Sequence, residues 1–125
     1  MKEEVHILLV DDREDGIIAL EAVFTKSPYR LAKARSGAEA LRLAATNDFA
    51  VILLDVQMPE MDGFTLTRKI KADARLKSLP VVIHSSLSGE ASEEHVRKVG
   101  ADAYVSKFLA KDLADTIRGV LARHP

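Results

Sequence analysis

Phe49-Ala50-Val51-Ile52-Leu53-Leu54-Asp55 runs unbroken apolar residues straight into a carboxylate, and Met58-Pro59-Glu60-Met61-Asp62-Gly63 turns the chain a few positions later. An apolar run without polar alternation suits a strand buried on both faces, the situation of strands in a parallel sheet covered by helices. It reads as a third strand ending in an acid, and the turn leads into a helix from about Phe64 to Asp73.

Upstream, Val5 to Val10 contains the packed Ile7-Leu8-Leu9-Val10 and reads as a first strand of the same kind. Ile17, Ile18, Leu20, Ala22, Val23 and Phe24 then recur at helical spacing, and the helix stops near Thr25 because Pro28 cannot continue it. Tyr29 to Ala34 makes a short second strand. Ser36-Gly37-Ala38-Glu39 follows with the capping-box pattern, and a second helix runs through about Thr46. Downstream, Pro80 opens a fourth strand over Val81 to His84, which Ser85-Ser86-Leu87-Ser88-Gly89 breaks. Ser92 is expected to cap a helix that Gly100 terminates. Ala103 to Ser106 is the fifth strand. The last helix spans about Lys111 to Ala122, with Leu113, Ala114, Ile117, Val120 and Leu121 apolar and no good side-chain cap at Leu109 or Ala110.

Five strand-then-helix units with short loops imply an α/β, doubly wound parallel sheet with helices on both faces. The flavodoxin-like order 2-1-3-4-5 has the right unit count, and such sheets bind ligands beyond the carboxyl ends of their strands. The chain of 125 residues is read as one domain, 1–125. Its 18 Lys+Arg against 19 Asp+Glu lack the basic footprint of a nucleic-acid binder, and 47% hydrophobic residues suit a packed core. The absence of cysteine removes disulfide frameworks, thiolate metal sites and cysteine nucleophiles. With no signal-peptide profile and no apolar run near the ~20 residues of a membrane span, a cytoplasmic protein without membrane insertion is expected.

The residues just past four of the strands are Asp11 and Asp12, then Asp55, then Ser85, then Lys107; the second strand contributes nothing to this set. Two unit charges at about 4 Å cost ~4 kcal/mol at an effective dielectric of about 20, so three gathered carboxylates call for a cation. Hard oxygen donors select Mg2+, or Mn2+, and Mg2+ is commonly shared between carboxylates and a phosphate. Such a pocket suits phosphoryl chemistry.

Leu8-Leu9-Val10-Asp11-Asp12, Leu53 through Gly63, Ser85 and Lys107 together resemble the motif set of two-component response-regulator receiver domains, across essentially the whole chain. The front half is similar to receivers of hybrid histidine kinases and the back half to those fused to chemotaxis coupling proteins. The resemblance implies that Asp55 is the phosphoacceptor and that Asp12 and Asp55 hold magnesium directly. It implies too that Asp11 acts partly through water, Gln57 lends its backbone carbonyl, and Ser85 and Lys107 contact the phosphoryl group. It further implies that Tyr104 swings inward as the Ser85 loop moves, remodelling the face of the fourth helix, fifth strand and fifth helix for a downstream protein. The donor would be a histidine kinase or phosphotransfer protein, and enzymatic character would be limited to self-phosphorylation and slow autodephosphorylation.

Asp55 is a weak nucleophile, but it is ionised near neutral pH and can attack phosphorus in line once positive charge neutralises the phosphoryl oxygens. His84 needs no catalytic part in this, because strand alternation sends it away from the side used by Ser85 and the carboxylate requires no base. The chain departs from the family pattern where Phe108 follows Lys107 in place of a proline. A phosphorylation-independent interaction module with the same fold is the alternative. A flavin-binding relative would need a glycine- and hydroxyl-rich phosphate loop, where Asp11-Asp12 would instead repel phosphate.

Overall fold

Each apolar run becomes a strand because its alternate side chains have a hydrophobic layer to enter on either side. The structure, a computed structural model, describes residues 4–56, 58, 60–85, 90–106 and 110–123, with only the backbone described for Ser85, Ser106, Ala110 and residues 90–93. Its strands are β1 (His6–Val10), β2 (Arg30–Ala34), β3 (Val51–Asp55), β4 (Val81–Ser85) and β5 (Ala103–Ser106). They form one sheet in the order β2-β1-β3-β4-β5, with every neighbouring pair parallel, as the unit count suggested. The helices are α1 (Glu14–Val23), α2 (Gly37–Thr46), α3 (Gly63–Ala72), α4 (Glu90–Lys98) and α5 (Ala110–Arg123).

Leu8, Val10, Ile52, Leu54 and Ile83 enter one layer with Ala40 and Ala44 of α2, Leu66 and Ile70 of α3 and Val96 of α4. Ile7, Leu9, Val51, Leu53, Val82 and Val105 enter the other with Ile17 and Leu20 of α1 and Leu113, Ile117 and Val120 of α5. A continuous apolar run is therefore two interleaved faces. Ile7 through Val10 and Val51 through Leu54 are all fully buried, each side chain contributing about 1.5–3 kcal/mol on transfer from water.

Local chemistry sets three of the helix ends. Ser36 Oγ accepts from the Glu39 N–H at 3.1 Å, while the returning Glu39 Oε1 accepts from the Arg35 N–H at 3.0 Å, one residue earlier than an ideal capping box would place it. Asp62 Oδ1 caps α3 by accepting from the Thr65 N–H at 2.8 Å. Gly100 follows α4 at φ +86°, a left-handed position that ends the helix as expected. The start of α4 differs from expectation. Ser92 lies inside the helix, not at its cap, because Glu90 and Ala91 are themselves good helix formers and extend it toward the amino end.

A staple closes the amino edge of the sheet. The Lys71 ammonium donates to the Leu79 carbonyl at 2.9 Å and to Asp102 Oδ2 at 3.2 Å, and the same Asp102 oxygen accepts from the Val81 N–H at 2.7 Å. The end of α3, the start of β4 and the residue before β5 are thus joined. On the same side of the sheet, the Phe64 ring of α3 stacks on the His95 imidazole of α4, with centroids 3.8 Å apart and planes 13° from parallel.

Candidate functional site

The parallel order brings the carboxyl ends of β1, β3, β4 and β5 to one edge, and three of the expected acids meet there. Asp11, Asp12 and Asp55 each offer a carboxylate oxygen, all within 4.8 Å of one another. Asp55 is the last residue of β3 and Asp11 directly follows β1, so strand registers of 5 residues and less fix both. Asp11 is fully buried and Asp55 is 2% exposed, whereas Asp12 is half-buried.

The backbone around these acids is held closely. The Asp11 N–H donates to the Ala34 carbonyl at 3.1 Å, and Asp11 Oδ1 accepts from the Arg13 N–H at 3.0 Å. The Asp12 carbonyl accepts from Arg35 Nε at 3.2 Å and Nη2 at 2.9 Å. Two glycines make room. A Cβ on Gly16 would lie 2.2 Å from Asp11 Oδ2, and one on Gly63 would lie 2.5 Å from the Asp55 carbonyl oxygen. The segment from Asp55 to Gly63 includes Glu60 at φ +67°, a left-handed position for a residue with a side chain.

The electrostatics favour a cation. Asp12 Oδ1 is buried with no hydrogen-bond donor among the described residues. The guanidinium of Arg13 turns outward to Asp15, with Nη2 2.9 Å from Oδ2 and Nε 3.2 Å from Oδ1. That hydrogen bond, with the attraction of Asp15 and more weakly of Asp11 and Asp12, raises the Arg13 pKa, and it lowers that of Asp15. An acid cluster with a buried oxygen lacking a donor fits a small hard cation with oxygen ligands, which would relieve the mutual repulsion.

The other expected residues are placed less completely. Ser85 ends β4 with its backbone in register with Ser106, so it reaches the same edge; its side chain is outside the described residues. Gln57 and Lys107 also lie outside the described residues, as does the Lys107–Phe108 junction. Tyr104 is half-buried in β5, in register with Ile83 and packed against the α2–α3–α4 layer. His84 is 1% exposed and pairs in register with Asp55. Alternation from Val82 and Leu53 puts His84 and Asp55 on the same side of the sheet, a proximity that comparison with Ser85 alone did not reveal.

Sequence reading missed two contributors. β2 was expected to add nothing to this edge, yet Ala34 and Arg35 at its end both bond to the loop that carries the acids. Gly16 had a readable signal, since a glycine in the first turns of a helix costs about 1 kcal/mol relative to alanine and so marks a close approach. Arg35 had none.

Comparison with known proteins agrees with this arrangement. The family model described as the response regulator receiver domain matches residues 7–118. The chain is 40% identical to the response regulator PleD of Caulobacter vibrioides over 111 residues, which is 89% of this chain and 24% of PleD. It is 34% identical to the polar-differentiation response regulator DivK of Brucella ovis over 101 residues, covering 81% of this chain and 82% of DivK. Among solved structures, the chemotaxis protein CheY4 of Vibrio cholerae superposes with a TM-score of 0.87 at 26% identity, covering 94% of this chain and 99% of CheY4.

Proposed function

Because this chain belongs to the response regulator receiver domain family of two-component signalling, we propose that Asp55 is its phosphoacceptor. The observation that carries this reading is the convergence of Asp11, Asp12 and Asp55 within 4.8 Å, with Asp55 held at the end of a central strand. A carboxylate oxygen of Asp55 attacks the phosphorus of a phosphohistidine on a histidine kinase or phosphotransfer protein. The phosphorus–nitrogen bond breaks, the imidazole leaves with its electron pair and takes up a proton, and an acyl phosphate remains on Asp55. Water later attacks that phosphorus, the bond from phosphorus to the Asp55 oxygen breaks, and inorganic phosphate leaves as the carboxylate is restored.

Mg2+, or Mn2+, supplies neutralisation of the phosphoryl oxygens when bound. Asp12 and Asp55 would hold it directly, with Asp11 contributing partly through water and Gln57 through its backbone carbonyl. Ser85 donates a hydrogen bond to the phosphoryl group and Lys107 provides the counter-charge. The Ser85 loop and Tyr104 then shift together and alter the face formed by α4, β5 and α5 for a downstream protein. Phosphorylation biases the two arrangements only by the difference in its interaction energy with each. The whole of 1–125 acts as a receiver unit in the cytoplasm; among the described residues no helix is long and apolar enough to cross a membrane. The acid cluster gives no support to an interaction module indifferent to phosphorylation, which would not need it.

Acetyl phosphate with Mg2+ tests the proposal. Intact mass should rise by one phosphoryl group in the wild type and remain unchanged in Asp55→Asn or in EDTA. Equal labelling of Asp55→Asn would overturn the assignment.

A further inference from the structure

Arg35 sits at the end of β2, outside the acid cluster, and its guanidinium donates two hydrogen bonds to one backbone oxygen, the Asp12 carbonyl, at 3.2 and 2.9 Å. Two bonds from a planar fork fix direction as well as distance. They therefore orient the peptide that follows Asp12 and, through it, the bond from Cα to the side chain. Arg35 is anchored in turn: its N–H donates to Glu39 Oε1 at 3.0 Å, and Glu39 belongs to the first turn of α2, capped by Ser36. A continuous brace runs from α2 through Arg35 to the loop between β1 and α1.

That loop has a reason to need bracing. Asp12 is the least buried of three mutually repelling acids, and its Oδ1 is buried with no donor among the described residues. Without restraint, repulsion would favour turning this carboxylate away from Asp11 and Asp55. We propose that Arg35 is a positioning residue that holds the Asp12 carboxylate in the acid cluster before a divalent cation arrives. This rests on the cation-dependent reading of the site. The brace acts through geometry and not through charge, since a nearby positive charge alone repels a cation.

The contrast between geometry and charge supplies the experiment: calorimetric titration of Mg2+ alone, without phosphodonor, into wild type, Arg35→Lys and Arg35→Ala, with circular dichroism melts in EDTA to verify folding. Arg35→Lys keeps the charge but cannot make the fork, and should weaken Mg2+ binding about fivefold. Arg35→Ala should also weaken it, by less, because loss of the positive charge partly compensates. Unchanged affinity in Arg35→Lys, or tighter binding in Arg35→Ala, would show the guanidinium to be a remote charge and overturn the inference. Failure of the wild type to bind Mg2+ would instead overturn the cation reading beneath it.

Discussion

Removing one charge from the acid cluster should make the metal-free protein more stable. Asp12→Asn is the informative change, because it preserves shape, and Asp12 Oδ1 is buried with no donor among the described residues to lose. The three carboxylate oxygens lie within 4.8 Å of one another, and at that distance two unit charges repel by roughly 3 kcal/mol at an effective dielectric of about 20. Asp12 faces two such partners, but it is half-buried, and solvent screens most of the repulsion. A net gain of about 1–2 kcal/mol is expected in EDTA, seen as a rise in Tm of about 5 °C for a domain of this size. Saturating Mg2+ should reverse the order. A ligand at a hundred times its Kd adds about 2.7 kcal/mol to the state that binds it, and only the wild type retains the complete set of acids. Thermal melts of both proteins with EDTA and with Mg2+ measure all four values. A folded Asp12→Asn that melts at or below the wild type in EDTA would refute the claim that these acids repel one another in the native state.

Gly16→Ala should favour α1 by about 1 kcal/mol through helix propensity, yet its Cβ would fall 2.2 Å from Asp11 Oδ2, so the carboxylate must move and Mg2+ affinity should fall at least tenfold by calorimetry; unchanged affinity would show that Asp11 yields without consequence. Asp102→Ala removes the acceptor shared by Lys71 and Val81 and should cost about 2 kcal/mol in urea unfolding, while phosphodonor labelling of Asp55 persists. The Arg13 guanidinium, chiefly through its hydrogen bond, holds Asp15 below its ordinary value of 3.8. The stabilisation from this pair is therefore present above that value and lost as the pH falls through the lower folded value. Asp15→Asn should lower the urea midpoint slightly at pH 7, and the difference from wild type should shrink as the pH falls below the ordinary aspartate value; equal midpoints at pH 7 would show that the exposed pair contributes nothing.

The fold was legible because its strands carry their environment in their composition. Ile7 to Val10 and Val51 to Leu54 could be read as doubly buried since no polar residue interrupts them, and the two layers they enter confirm why. Helix ends were legible where one side chain acts within its own turn, as at Ser36, and less so at α4, where Ser92 resembles a cap but the preceding residues are equally helix-forming. The three acids were legible because each directly follows or ends a readable strand. Arg35 and the Lys71–Asp102 pair were not, because their meaning lies in partners 23 and 31 positions away. Neither a long cation on a surface nor an aspartate before a strand announces the distant group it will meet.

The Lys71–Asp102 staple has a mechanical consequence. One ammonium and one carboxylate fasten three chain segments at the end of the sheet farthest from the acids. The fastening joins β4 to the approach to β5 and leaves β2, β1 and β3 untouched, so it pins one wing of the sheet at its base, like a rivet through two ribs of a fan. A rearrangement beyond the carboxyl ends of β4 and β5 therefore need not disturb the pairing of these two strands at their pinned end.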